Sequence, residues 1–204
     1  MNFEGFTQDI INNGWAVHGV EVYKDGKLTY SFRDTKENTY PIYSCTKSIL
    51  SIATGIANDQ KKIDLNEDLL FYIPQRYKEG LSAQQKKKWE NVSLHRLMTM
   101  SVPGFPFRPE SDNYLDYSLN YPDFRPDDKS FDYSNIPAYL VGVAVTEAVG
   151  EDLWEFIGKN ILDPLEITDA ECSRCSEGYF YGASGMKLSV NDLSRIGLLP
   201  SRKI

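Results

Sequence analysis

The chain has 204 residues, 41% of them hydrophobic and 25% charged, which suits an ordinary globular protein with a full core in one domain or two small lobes. Its net charge of -7, from 22 basic and 29 acidic residues, argues against nucleic acid or an anionic membrane as the main partner. No stretch approaches transmembrane length, and Met1-Asn2-Phe3-Glu4 lacks the basic and apolar segments of a secretory signal, so the expected address is cytoplasmic unless a leader has been removed.

Phe3, Phe6 and Ile10 follow helical spacing, and Gly14 suits the left-handed residue that ends a helix. Residues 17–23 and 28–32 predict two strands joined across Lys24-Asp25-Gly26-Lys27, where Asp-Gly is a strong tight-hairpin signal. An aromatic and β-branched approach, residues 40–43, then runs into Ser44-Cys45-Thr46-Lys47. Apolar residues recur at Ile49, Ile52, Ala53, Ile56 and Ala57, so Ser44 is placed at the start of a buried helix running to about Asn58.

That placement carries chemistry. Lys47 lies one turn after Ser44 on the same face. An ammonium beside a hydroxyl holds or takes its proton, and a helix N-terminus favours the negative charge that develops when the hydroxyl attacks a carbonyl. The spacing therefore reads as a nucleophilic serine with a lysine partner. Ser184-Gly185-Met186-Lys187 repeats the spacing, but it carries an internal glycine and precedes no apolar helical pattern within its own turn, so it is set aside.

Residues 63–68 and 72–74 read as a loop and a short helical turn, and residues 76–90, polar and basic, as a surface excursion in which Lys86-Lys87-Lys88 forms a solvated face. Ser93 is expected to cap a short helix through Met100, with His95 on its surface. Residues 105–129 show no periodicity and are rich in Pro, Asp, Asn and aromatic residues. So long an irregular stretch is usually functional, often a rim over a site. Its aromatic residues (Phe105, Phe107, Tyr114, Tyr117, Tyr121, Phe124) either line a cleft or pack the loop down.

Phe131-Asp132-Tyr133-Ser134-Asn135 opens the next helix, with Asn135 as its expected cap, Pro137 in its first turn and Gly150 at its end. A further helix through Leu153, Phe156 and Ile157 leads into Ile161-Leu162-Asp163-Pro164-Leu165. Residues 179–185 form a glycine-rich turn region, and Ser189 with Asp192 resembles a capping box for a last helix. Three cysteines cannot build a bridge framework. Cys172-Ser173-Arg174-Cys175 has redox or metal spacing, but no second Cys/His pair accompanies it, so no metal site is assigned and no cofactor is expected. With only His18 and His95 present, a serine–histidine triad is poorly supplied, whereas a serine–lysine pair is available.

With Ser44-Cys45-Thr46-Lys47 and Tyr133-Ser134-Asn135 both placed, the chain resembles the serine β-lactamase and penicillin-binding-protein superfamily. Within it, the resemblance is to the branch of class C β-lactamases, D-Ala-D-Ala carboxypeptidases and related esterases. Ser44 and Lys47 match its Ser-x-x-Lys, and Tyr133 and Asn135 match its Tyr-x-Asn, the only such triplet in the chain. The surroundings agree: Lys62-Ile63-Asp64-Leu65, Val92-Ser93-Leu94-His95-Arg96-Leu97-Met98-Thr99, Pro126-Asp127-Asp128-Lys129-Ser130-Phe131, and Gly182-Ala183-Ser184-Gly185. Two departures are local: Met100 stands where many relatives have His, and Val102-Pro103 interrupts the usual Ser-Gly. A third is larger, since no Lys-Thr-Gly or His-x-Gly follows Tyr133.

The resemblance implies an α+β fold with a partial antiparallel sheet and a helical lobe, lacking the C-terminal strands. It divides one incomplete domain into a sheet-lobe portion (1–43), a helical lobe (44–178) and a return segment (179–204). It implies an acyl-Ser44 intermediate formed on an amide or ester carbonyl, with Lys47 and Tyr133 as a hydrogen-bonded base pair and Asn135 binding the substrate amide. The Ser44 main-chain N–H would supply half an oxyanion hole. The other half belongs to the missing strands, so impaired activity is expected, and a free sheet edge invites a second copy or another partner. The alternatives are a non-catalytic binding remnant of that family and, from the cysteines, a redox or metal protein. The expected substrate is a small molecule or peptide, whether a β-lactam, a D-Ala peptide or an ester.

Overall fold

The computed structural model describes residues 3–34 and 38–199, with an α+β architecture. α1 (Glu4–Asn13) ends at Gly14, whose φ of 59° lies in the left-handed region that glycine accepts without steric cost. β1 (Gly19–Lys24) and β2 (Lys27–Arg33) form an antiparallel hairpin. Asp25 and Gly26 both take positive φ, 51° and 72°, as the tight turn that matches strand twist requires. A bulge between Val22 and Tyr23 is bridged by the Thr29 hydroxyl, which donates to the Val22 carbonyl at 3.0 Å. α1 lies against this hairpin, with Phe3 stacked on Tyr30 at 4.8 Å.

β3 (Tyr40–Pro41) leads into a 3₁₀ turn (Tyr43–Cys45) and then α2 (Thr46–Asp59). The next helices are short: α3 (Leu69–Tyr72), α4 (Gln75–Gly80), α5 (Ala83–Trp89), α6 (Leu94–Met98) and α7 (Tyr114–Asn120). α8 (Asn135–Val149) is the axis of the helical lobe. Every residue from Asn135 to Val145 is buried, and α2, α3, α6, α7 and α9 (Leu153–Ile157) pack around it. A helix apolar all round belongs in a core, and each buried aliphatic side chain there contributes about 1.5–3 kcal/mol. After α9 a π-helical turn and a 3₁₀ turn lead to β4 (Lys187–Leu188), which pairs with β3, and to α10 (Val190–Gly197), which packs on β1. The close approach of α10 needs Gly19, where a Cβ would stand 2.3 Å from Val190 Cγ2.

Three sequence expectations are corrected. Residues 76–90 are more than a surface excursion: they fold into most of α4 and all of α5, and Leu81 and Trp89 enter the core, with the Trp89 indole donating to the Leu119 carbonyl at 2.9 Å. Residues 105–129 are not wholly irregular, because Leu115, Ser118 and Leu119 turn inward from α7, capped by Asn113. Phe105 and Phe124 stack with each other and against Trp89, so these two pack the loop down rather than line a cleft. Finally, Ser134 and not Asn135 caps α8. Ser134 has extended backbone (φ -143°, ψ 156°), and its hydroxyl accepts from the Ile136 N–H at 3.1 Å, which leaves the Asn135 side chain for another task.

The Ser189–Asp192 capping box forms, with the Ser189 hydroxyl accepting from Asp192 N–H at 3.1 Å. Asp152 caps α9 through Trp154 and Glu155 N–H and also takes the Arg174 fork at 2.6 and 2.9 Å. Arg174 holds the Asp152 carboxyl below the usual carboxylate range. A depressed acid stabilises the fold above its unfolded pKa, and that contribution fades as pH falls through the folded value. Asp152→Ala is expected to cost about 2 kcal/mol at neutral pH in urea unfolding, and the difference from the native chain should shrink in acid.

Among the described residues no helix is long and apolar enough to cross a membrane, and no group of three or more His, Cys, Asp or Glu side chains is placed to hold a metal. Cys172 and Cys175 are both free thiols, raised above their ordinary value by burial.

Candidate active site

Ser44 sits in the 3₁₀ turn that runs directly into α2 at Thr46. Tyr43 before it has φ 46°, an unfavourable conformation for a large side chain, and such strain is characteristic of functional turns. The turn is anchored from below. Ile42 N–H donates to the Met186 carbonyl at 3.0 Å, and Met186 N–H donates to the fully buried Thr46 hydroxyl at 3.4 Å.

Lys47 reaches back one turn, as its spacing requires. Its Nζ donates to Ser44 Oγ at 3.2 Å, to Asn135 Oδ1 at 2.7 Å and to the Ala183 carbonyl at 2.7 Å, so three ammonium hydrogens meet three acceptors. The same ammonium lies over the Tyr133 ring, 5.0 Å from its centroid. The Tyr133 hydroxyl donates to Ser44 Oγ at 2.7 Å. Its phenol is held below the ordinary tyrosine value, first by the Ser44 hydrogen bond and then by Lys47, against the opposing effect of burial. Ser44, Lys47, Tyr133 and Asn135, which lie up to 91 residues apart, thus meet in one cluster (135 − 44).

Two contributors carry no legible signal of their own. The Ala183 carbonyl is a main-chain group, and only its flanking Gly182 hints at it. A Cβ on Gly182 would stand 2.9 Å from Leu50 Cδ2, so glycine lets this segment approach α2 closely enough to deliver the carbonyl. Phe107 is 60% exposed, and its ring faces Tyr133 at 6.3 Å. It is fixed there because the Asn135 N–H donates to the Phe107 carbonyl at 2.9 Å and the Ser134 hydroxyl to the Pro106 carbonyl at 2.6 Å. Of the other sequence candidates, His95 is exposed on α6, and Lys187 pairs with Glu171 at 3.0 Å, which accounts for the second Ser-x-x-Lys copy.

The family model described as Beta-lactamase matches residues 7–202. The chain belongs to the Beta-lactamase family. Among solved structures it is similar to FmtA from Staphylococcus aureus, with a TM-score of 0.72 at 15% identity, covering 94% of this chain and 62% of that one. It is also similar to a class C beta-lactamase and to a class C beta-lactamase mutant, each with a TM-score of 0.72 at 18% identity, covering 95% of this chain. The chain spans 62% of the length of each of these structures. No curated protein matches it. At these identities the likeness establishes the fold, and the β-lactamase-like architecture is the one expected from the sequence.

Proposed function

We propose that this β-lactamase-family chain is a serine hydrolase that cleaves an amide or ester through an acyl-Ser44 intermediate. One observation carries the reading: Ser44 Oγ lies within hydrogen-bond reach of both Tyr133 Oη (2.7 Å) and Lys47 Nζ (3.2 Å). A nucleophile with an adjacent base and a third orienting group is the general signature of covalent catalysis.

In the proposed reaction the Tyr133 phenolate takes the Ser44 proton as Oγ bonds to the carbonyl carbon. The carbon–nitrogen or carbon–oxygen bond then breaks, and the leaving group departs with the proton from Tyr133. A water next gives its proton to Tyr133 and attacks the acyl carbon. Ser44 recovers the proton as the acid is released. Lys47 keeps Tyr133 ionisable and Asn135 oriented, and Asn135 is assigned to the substrate amide. The Ser44 main-chain N–H is the oxyanion donor assigned here.

Phe107 and Tyr133, both exposed with rings 6.3 Å apart, offer an aromatic surface beside Ser44, which favours a flat apolar substituent next to the carbonyl under attack. Phe107→Ala is expected to raise KM for aryl-bearing substrates about tenfold while leaving small alkyl esters little changed. The partner is a small molecule or peptide substrate. Among the described residues β1 and β2 pair only with each other, so their outer edges offer main-chain groups to a further strand, from a second copy or another chain. Light scattering across a concentration series tests that pairing. The three free thiols suit the proposed cytoplasmic setting. Hydrolysis of an aryl ester, a chromogenic β-lactam and a D-Ala-D-Ala peptide, each against Ser44→Ala, tests the activity. Turnover that survives in the variant would overturn it.

A further inference from the structure

Arg96 belongs to α6 and has no ion-pair partner among the described residues. Its guanidinium instead gathers three main-chain carbonyls: Pro126 at 2.5 Å, Ser101 at 2.6 Å and Asp128 at 2.8 Å. Its own carbonyl accepts from Ser101 N–H at 2.9 Å, so the 101 turn is gripped on both sides. A planar fork spreads these contacts over two nitrogens in a fixed geometry, whereas an ammonium would have to gather them on one. The Arg96 Nε is buried and has no hydrogen-bond partner among the described residues.

The gripped segments meet directly upstream of the site. Met100, the neighbour of gripped Ser101, takes φ 52°, and its carbonyl accepts from Asp132 N–H at 3.0 Å. The Asp132 carboxylate in turn accepts from Gly104 N–H at 2.8 Å. Asp132 precedes Tyr133, and Asp128, held by Arg96, lies five residues before it. A side chain on α6 thus fixes both the strap that carries Tyr133 and the turn on which that strap rests.

We infer that Arg96 is a positioning residue for the reaction, holding residues 126–132 so that the Tyr133 oxygen stays at hydrogen-bond distance from Ser44 Oγ. This rests on the acyl-serine reading above. A misplacement of about 1 Å far from the chemistry can cost 10²-fold in rate, so an α6 side chain that never touches substrate can govern it.

The test uses the full chain with ¹³Cζ-labelled tyrosine, the Tyr133 signal being identified by its loss in Tyr133→Phe. The groups facing this phenol are Ser44, Lys47 and Cys45, all left intact. In Arg96→Gln the Tyr133 titration is expected to move up towards the ordinary tyrosine value of about 10. Acylation of Ser44 by a fluorophosphonate should slow about tenfold or more. Arg96→Lys keeps the charge without the fork and should recover part of both effects; it also stands in if Arg96→Gln does not fold. A folded variant whose Tyr133 titrates as in the native chain would overturn the inference. If the native chain is not acylated, the hydrolase reading fails by itself, and the Tyr133 titration alone decides the role of Arg96.

Discussion

Tyr133→Phe is expected to lower the rate of Ser44 acylation by about 10²–10⁴, the usual contribution of a positioned base. The substitution removes one oxygen and leaves the ring facing Phe107 and beneath Lys47, so folding should be unaffected. The pH profile makes the test sharper. In the proposed reaction the active form of Tyr133 is the phenolate, and its pKa is lowered in the fold by Ser44 and Lys47. The acylation rate should therefore rise with pH, with a midpoint below the ordinary tyrosine value of about 10. That rising limb should vanish in Tyr133→Phe. Stopped-flow acylation from neutral to alkaline pH measures both. A flat profile in the native chain would remove Tyr133 from the role of base.

Trp89→Ala is expected to cost about 3–5 kcal/mol, among the largest losses a single substitution produces. Trp89 is fully buried, stacks with Phe105 and Phe124, and donates to the Leu119 carbonyl. Its removal opens a cavity between α5, α7 and the 105–124 loop and leaves the Leu119 carbonyl with only the longer Gln85 amide bond, at 3.3 Å. Against a typical total stability of about 5–15 kcal/mol, much of the margin is gone. Urea unfolding followed by far-UV circular dichroism should show the midpoint fall with little change in slope. A loss under about 1 kcal/mol would mean the loop does not pack as described.

The core of the site was legible because its signals are local. Ser44 and Lys47 are one helical turn apart, and the Asp25-Gly26 hairpin and the Ser189–Asp192 box rest on residues whose backbone or side-chain chemistry permits little else. Tyr133 and Asn135 could be paired with them only through the family resemblance, since no spacing rule spans about ninety residues. The Ala183 carbonyl stayed hidden because a main-chain group leaves no residue type to read. Trp89 and α7 were missed for a different reason. Both lie in stretches whose polar composition outweighs a few inward-facing residues, and burial there is decided by tertiary packing. The α8 cap was misplaced by one residue, because Ser and Asn are equally good caps and only the backbone conformation distinguishes them. Arg96 gave no signal of its own in the sequence, because its three partners are main-chain carbonyls.

The most direct test of the central claim is the intact mass of the chain after exposure to a fluorophosphonate, followed by peptide mapping, with Ser44→Ala alongside. The account predicts one stoichiometric adduct, mapped to Ser44 and absent from the variant, forming faster as pH rises. A folded native chain that takes no adduct, or one modified equally in Ser44→Ala, would contradict it.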